Sequence, residues 1–392
     1  MYLITNGHII TEDTILTGYD ILIEDDVIRK IDKEGSISVN KDTKIIDADG
    51  GYVSPGFIDI HSDYIEHMAA PRPTTLMDFS LSLRECEKQL ISHGITTMFH
   101  SLSLYKSTEF GNKPIRNPEN VQKFIDLIDN THESKHLIRH RFHARFEIDN
   151  IEQVDNLKSY INENKVHLVS FMDHTPGQGQ YRNLEIYRDT LKGYKDLEDF
   201  EIDEIITESQ SKDKLTIEMI KEIGDLAKEK GITIASHDDD TVEKIELVRS
   251  FGATISEFPI TLETAKEAKN HGMHTIAGAP NVLLGGSHSG NLSAAVAIED
   301  NCIDILCSDY YPAAMLHSIF KLHEEYGKDL VQMLKLVTIN PAKAVNMDDE
   351  IGSIKENKKA DILIIEKIEK NFPVITSVFV DGKLITKTNY RV

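Results

Sequence analysis

The chain has 392 residues, 40% hydrophobic and 28% charged, which is enough apolar content for a sizeable core built as one large domain or two. Its 43 basic and 65 acidic side chains leave a net charge of -22, which argues against nucleic acid or an anionic membrane as a partner. Cys86, Cys302 and Cys307 lack CxxC spacing, so neither a disulfide framework nor a zinc knuckle is indicated. The opening "MYLITNGHII" lacks the basic and apolar regions of a secretory signal, and no run approaches the roughly 20 apolar residues of a membrane helix, so a reducing, cytoplasmic setting is expected.

Residues 1–55 read as short alternating strands, "YLITNGHII", "DILIEDDVIRKID" and "TKIIDADGGYV", interrupted by Asn-Gly and Asp-Gly pairs suited to tight hairpins. The middle of the chain alternates helical patterns with apolar runs: "GFIDIHSD", "GITTMFHSL", "HARFEI", "VHLVSFMDHT", "GITIASHDDD", "GATISEFPI", "GMHTIAGAPN" and "CIDILCSDYYP". Several runs follow a helix-like segment closed by glycine, as in "SHGITT", "EKGITI", "SFGATI" and "NHGMHT", where glycine takes the left-handed conformation that ends a helix. Eight such units predict a (β/α)8 barrel, since the runs are apolar on both faces and nearly all end in His, Asp or Glu, where barrel chemistry sits. Beyond about residue 345, "GSIKENKKADILIIE" and "ITSVFVDGKLIT" return to the antiparallel texture. The expected α/β architecture is therefore a TIM barrel over 56–344 and a small β-sandwich domain made from 1–55 and 345–392.

Residues two apart in a strand point to the same side, so His61 and Asp63 at the end of the first run can aim at one point above the barrel mouth. Imidazole and carboxylate together suit a borderline divalent metal such as zinc, manganese or iron. Glu147, Asp173, His174, His237, Glu257 and Asp309 close other runs and would converge there. Asp238, Asp239 and Asp240 read as an N-cap and solvated first turn for a helix beginning near Thr241, with Asp238 the one able to touch metal. His67, His100, His140, His143 and His288 read as surface or supporting histidines. Arg72, Arg141, Arg145 and Arg182 lie near strand ends, where guanidinium forks could hold phosphate oxygens; the binding candidates are Arg72, Arg145 and Arg182.

The barrel between two sheet-forming termini, the "GFIDIHSD" entry and the aspartate after the eighth run resemble the amidohydrolase superfamily. Within it, "HSDYIEHMAAPRP", "HARFEI", "MDHTPGQGQYR", "ASHDDDT", "ISEFPITLETA", "GAPNVLLGGSHSGN" and "CSDYYPAAML" are similar to the α-D-ribose 1-methylphosphonate 5-triphosphate diphosphatase (PhnM) family of the carbon-phosphorus lyase pathway. That resemblance implies two divalent cations, zinc first and manganese or iron as alternatives, with His61 and Asp63 on the more buried one. It further implies Glu147 as the bridge, with Glu257 as second choice, His174 and His237 on the other cation, and Asp309 in proton transfer. A phosphorylated sugar as substrate and a homodimer follow from the same likeness. Where most of the superfamily carries HxH and a carboxylated lysine, this chain has His61-Ser62-Asp63 and no strand-end lysine. Two other readings compete: an amidohydrolase cleaving a carbon-nitrogen bond, and a metal-free scaffold.

Overall fold

The computed structural model describes residues 1–391 apart from 73–74, 105–113, 195–196 and 288–289, together with all their side chains except those of residues 194 and 370. His288 and Pro73, both in motifs singled out above, lie outside the described residues. Eight parallel strands form one sheet in strict chain order: β1 (Phe57–Ser62), β2 (Ile95–Leu104), β3 (Arg139–Glu147), β4 (Leu168–Met172), β5 (Thr233–His237), β6 (Ile255–Glu257), β7 (His274–Gly278) and β8 (Ile305–Cys307). A parallel bridge between Ser62 and Asp309 brings the first strand to the last. The sheet is thus a (β/α)8 barrel, and its strands coincide with the eight apolar runs. β3 begins earlier than "HARFEI" alone indicates, because His140 and Phe142 are buried and continue its pairing with β2.

Inside the barrel, Ile58, Ile60, Phe99, Leu168, Ile255, Ile276 and Ile305 fill one core, closed at the strand N-termini by Ala342, Ala344 and Ile351. The chemistry must therefore lie at the opposite, carboxyl end. A second core lies between the strands' outer faces and the surrounding helices, and includes Leu90, Phe124, Phe142, Ile223 and Phe320. Helices after β4 and β5 are capped by side chains, Thr216 accepting from Met219 N and Thr241 from Lys244 N, which satisfies donors that have no partner within the helix. Among the described residues no helix is long and apolar enough to cross a membrane.

The termini form two further sheets. Four strands, Val27–Lys33, Tyr19–Glu24, Tyr2–Thr5 and Lys44–Asp47, make one; six strands, running from Lys383–Lys387 through Phe372–Val380, Ile362–Ile368, Tyr52–Pro55 and His8–Ile10 to Ile15–Leu16, make the other. N- and C-terminal segments meet where Ile362–Ile368 pairs antiparallel with Tyr52–Pro55. Alternation explains the arrangement, since Ile4, Ile21, Ile23, Val53, Ile364 and Phe379 all point into a shared core.

The Asp381-Gly382 turn sits directly on the Asp25-Asp26 turn of the other sheet. Gly382 has φ +69°, and a Cβ there would stand 2.1 Å from the Asp25 carbonyl oxygen, which belongs to the backbone and cannot swing away. Gly382→Ala is expected to destabilise the protein by about 2 kcal/mol or more, combining a left-handed penalty with overpacking. A urea unfolding midpoint within error of the parent would contradict that contact.

Candidate metal centre

At the carboxyl end of the strands a cavity of about 600 Å³ is lined by His61, Asp63, Arg145, His174, His237, Asp238 and Asp309, with Arg116, Phe258 and Tyr310 among its other walls. Residues from positions 61 to 309 thus share one space. His61 and Asp63 come from the end of β1, Arg145 from β3, His174 from just beyond β4, His237 from the end of β5 and Asp309 from just beyond β8. Apart from Arg145, two residues inside the end of β3, each is a strand's last inward-facing residue or a turn residue following it, the position where backbone ladders stop and side chains take over.

The histidines stand close together. The rings of His61 and His237 are 5.4 Å apart and those of His174 and His237 5.8 Å. His61 is 2% exposed, and its Nδ1 lies 2.9 Å from Oε1 of the fully buried Glu257. Burial, reinforced by Arg145 and His237, holds the His61 pKa well below the usual imidazole range. A neutral ring donating from Nδ1 to Glu257 presents Nε2 as a lone pair, the form that ligates a metal. Glu257 is thus a direct partner of a site histidine.

Glu147 is also buried, yet it is not among the cavity-lining residues. Its Oε1 contacts Nδ1 of His174. Burial disfavours a charged His174, but Glu147 and Asp238 outweigh that and hold its pKa above the ordinary value. The Asp173 carboxylate, adjacent in sequence, turns elsewhere and pairs with Lys214 at 3.1 Å.

The acidic run after β5 departs from the sequence expectation. Asp238 is 6% exposed and Asp239 0%, so neither belongs to a solvated helical turn; Thr241 is the cap. Asp239 accepts from the hydroxyls of Ser236 and Ser256, both at 2.5 Å, and Asp240 accepts from the Gly179 amide at 2.9 Å. Burial pushes the Asp238 carboxyl up, but the neighbouring His237, His174 and Lys244 prevail and bring its pKa to about 2.

Asp309 behaves oppositely. Burial, and then the nearby Asp63, raise its pKa to about 7 despite the Arg145 guanidinium. Backbone bonds fix its place, with its carbonyl accepting from the Ser62 hydroxyl at 2.7 Å and from the Asp63 amide at 3.0 Å. Phe258, at φ +54°, sets its ring 4.8 Å from that of His61 and 5.2 Å from that of His237. A bulky residue in the left-handed region is uncommon, and strain of that kind gathers at functional sites.

The arginines divide. Arg145 lines the cavity, with Nη2 3.4 Å from His237 Nε2. Arg72 and Arg182 are exposed and are not among the lining residues. Arg116, which no strand-end pattern marks, is a lining residue; its Nε and Nη2 reach Glu66 at 2.7 and 2.9 Å. Its only sequence signal is proximity to the loop after β2. Of the described members of that group, His100, His140 and His143 are fully buried and His67 is exposed. His143 links Ser101 and Ser170 at 3.0 and 2.9 Å, beneath His61.

These residues fit a divalent cation. Two trios, His61–His237–Glu257 and His174–His237–Asp238, each bring three ligand atoms within 4.8 Å of one another. His237 Nδ1, Asp238 Oδ2 and Glu257 Oε2 are buried polar atoms with no hydrogen-bond partner among the described residues. Each such atom costs about 1–3 kcal/mol when left unsatisfied, a cost that coordination removes.

Residues 52–385 match the family model described as "Amidohydrolase family". Over 387 residues the chain is 31% identical to the α-D-ribose 1-methylphosphonate 5-triphosphate diphosphatase of Escherichia coli (strain K12), covering 98% of this chain and 100% of that protein. An adenine deaminase of Clostridium botulinum (strain 657 / Type Ba4) is 35% identical over 101 residues, 23% of this chain and 16% of the deaminase. In fold, the chain resembles the crystal structure of N-acetylglucosamine-6-phosphate deacetylase from Pasteurella multocida, with TM-score 0.65, 13% identity, and coverage of 98% of this chain and 99% of that one.

Proposed function

The chain belongs to the amidohydrolase family and is a hydrolase, and from that premise we propose that it cleaves α-D-ribose 1-methylphosphonate 5-triphosphate to the 5-phosphate and pyrophosphate. The observation carrying this reading is the full-length similarity to the Escherichia coli diphosphatase, which spans every strand end lining the cavity. The match to the deaminase covers only 23% of the chain and gives no comparable support to carbon-nitrogen cleavage. The intact cluster of histidines and carboxylates speaks against a metal-free scaffold.

In this reading His61, Asp63, Glu147, His174 and His237 would hold divalent cations, which would supply Lewis acidity to a water and neutralise phosphoryl charge. Asp309, on the cavity wall, takes the proton of the water that attacks the α-phosphorus. The bond between the α-phosphorus and its bridging oxygen breaks, and pyrophosphate departs with the electron pair. Glu257 keeps His61 in one tautomer and orientation. Arg145 offers a guanidinium to phosphate oxygens in a chain whose net charge of -22 otherwise repels such a substrate.

Phosphorus NMR of the metal-loaded protein with this triphosphate is expected to show pyrophosphate and the 5-phosphate as the products, with nucleoside triphosphates turned over more slowly. Orthophosphate as the sole inorganic product would overturn the bond assignment, and ammonia release from a nucleobase without any pyrophosphate would overturn the substrate class.

A further inference from the structure

Asp238 has a side-chain placement that its own hydrogen bonds do not explain. The residue follows His237 directly and has φ +52°, a conformation that is costly outside glycine and tolerated by aspartate and asparagine. Both of its backbone groups are clamped there. Its amide donates to the Glu257 carbonyl at 2.9 Å, and its carbonyl accepts from Lys244 Nζ at 3.0 Å, the same ammonium that holds the His237 carbonyl at 3.0 Å. The clamp turns the carboxylate into the cavity, where Oδ2 is buried and has no hydrogen-bond partner among the described residues.

The nearest groups to that oxygen are two imidazoles. His237 Nδ1 lies 2.9 Å away, an ion-pair contact, and His174 Nε2 lies 3.7 Å away. The other nitrogen of His174 is turned to Glu147, so its Nε2 faces Asp238. Two nitrogens and one carboxylate oxygen that converge within ion-pair distance have the donor set of a zinc, manganese or iron site.

We propose that Asp238 is a metal ligand, completing with His174 and His237 a three-membered cradle for one of the two cations; this rests on the reading of the protein as a cation-dependent hydrolase. His61 and Asp63 then remain for the other cation, with Glu257 behind His61, which resolves the sharing of His237 between the two trios. The left-handed backbone at Asp238 is the local strain that holds the ligand in place.

The test compares parent, Asp238→Asn and Asp238→Gly, each stripped with chelator and titrated with Co2+ and Zn2+. Uptake is followed by mass spectrometric metal analysis and by the Co2+ visible spectrum, without reference to turnover. Asparagine keeps the shape and tolerates the backbone angle, and glycine adopts it freely, so at least one variant should fold; matched thermal unfolding of the metal-free proteins checks this. The parent is expected to bind two equivalents. Both variants are expected to lose affinity for one of them by at least about 10–100-fold, the loss that removal of even an outer partner brings, with an altered Co2+ spectrum. Two equivalents held with unchanged affinity, or weakened affinity with an unchanged spectrum, would make Asp238 at most an orienting partner of His237 and overturn the assignment. A parent that binds no cation would overturn the cation-dependent reading as well.

Discussion

Asp309→Asn is expected to lower turnover by about 10²–10⁴-fold, the usual contribution of a positioned acid-base group, while both cations remain bound. The substitution is nearly isosteric, and asparagine accepts the φ of +58° found at this position. The backbone around it should stay in place, because the contacts that fix it are made by main-chain atoms: the Asp309 amide to the His61 carbonyl at 3.2 Å, and the Asp309 carbonyl to Ser62 and Asp63. Room for the side chain comes from Gly278 at the end of β7, where a Cβ would stand 3.2 Å from Asp309 Oδ2. What the variant removes is therefore the ability to accept a proton, with little else changed. Rates of pyrophosphate release and metal content, measured on one preparation, separate the outcomes. Equal loss of metal and turnover would make Asp309 a ligand, and undiminished turnover would remove it from the chemistry.

Arg139→Met is expected to destabilise the protein by about 3–5 kcal/mol, the cost of breaking a buried ion pair from one side. Arg139 opens β3 at the end of the barrel away from the cavity and is 8% exposed. Its Nη1 and Nη2 form a fork on Asp361, the second contact at 3.1 Å, and Nη2 also meets Asp381. Asp361 Oδ1 additionally accepts from the Asp381 amide at 2.9 Å, so the guanidinium ties a barrel strand to the hairpin of the terminal sheet. Removing it leaves two carboxylates facing each other with their cation gone. Changing Asp361 and Asp381 to asparagine in the same protein should recover much of the loss, since no uncompensated buried charge then remains. A shift in urea midpoint equivalent to less than about 1 kcal/mol, the value of an exposed pair, would show that the contact carries no such weight.

The arginines show how far sequence reading extends. Arg145 could be placed at the cavity because it lies two residues before the end of a strand, and alternation puts it on the same side as the strand's last residue. Arg72 and Arg182 lie among motif residues beyond strand ends, where loops obey no such periodicity, and both side chains are exposed. Arg116 reaches the cavity through a fold of the chain after β2 that leaves no periodic trace. Glu257 stood out as a strand-end carboxylate, yet its bond to His61, 196 positions away, could not be read from spacing.

By itself the sequence determined the succession of strands and helices, the meeting of the termini as sheets, and the strand ends where His61, His174, His237 and Asp309 would stand. Those features follow from hydrophobic period and turn chemistry, which act over a few residues. Only the tertiary structure decided that Asp238 and Asp239 are buried, that Glu147 serves His174 while Glu257 serves His61, and that Arg139 joins Asp361 across the fold. Burial and ion pairing depend on which distant segments closure of the barrel brings into contact, and no local pattern encodes that.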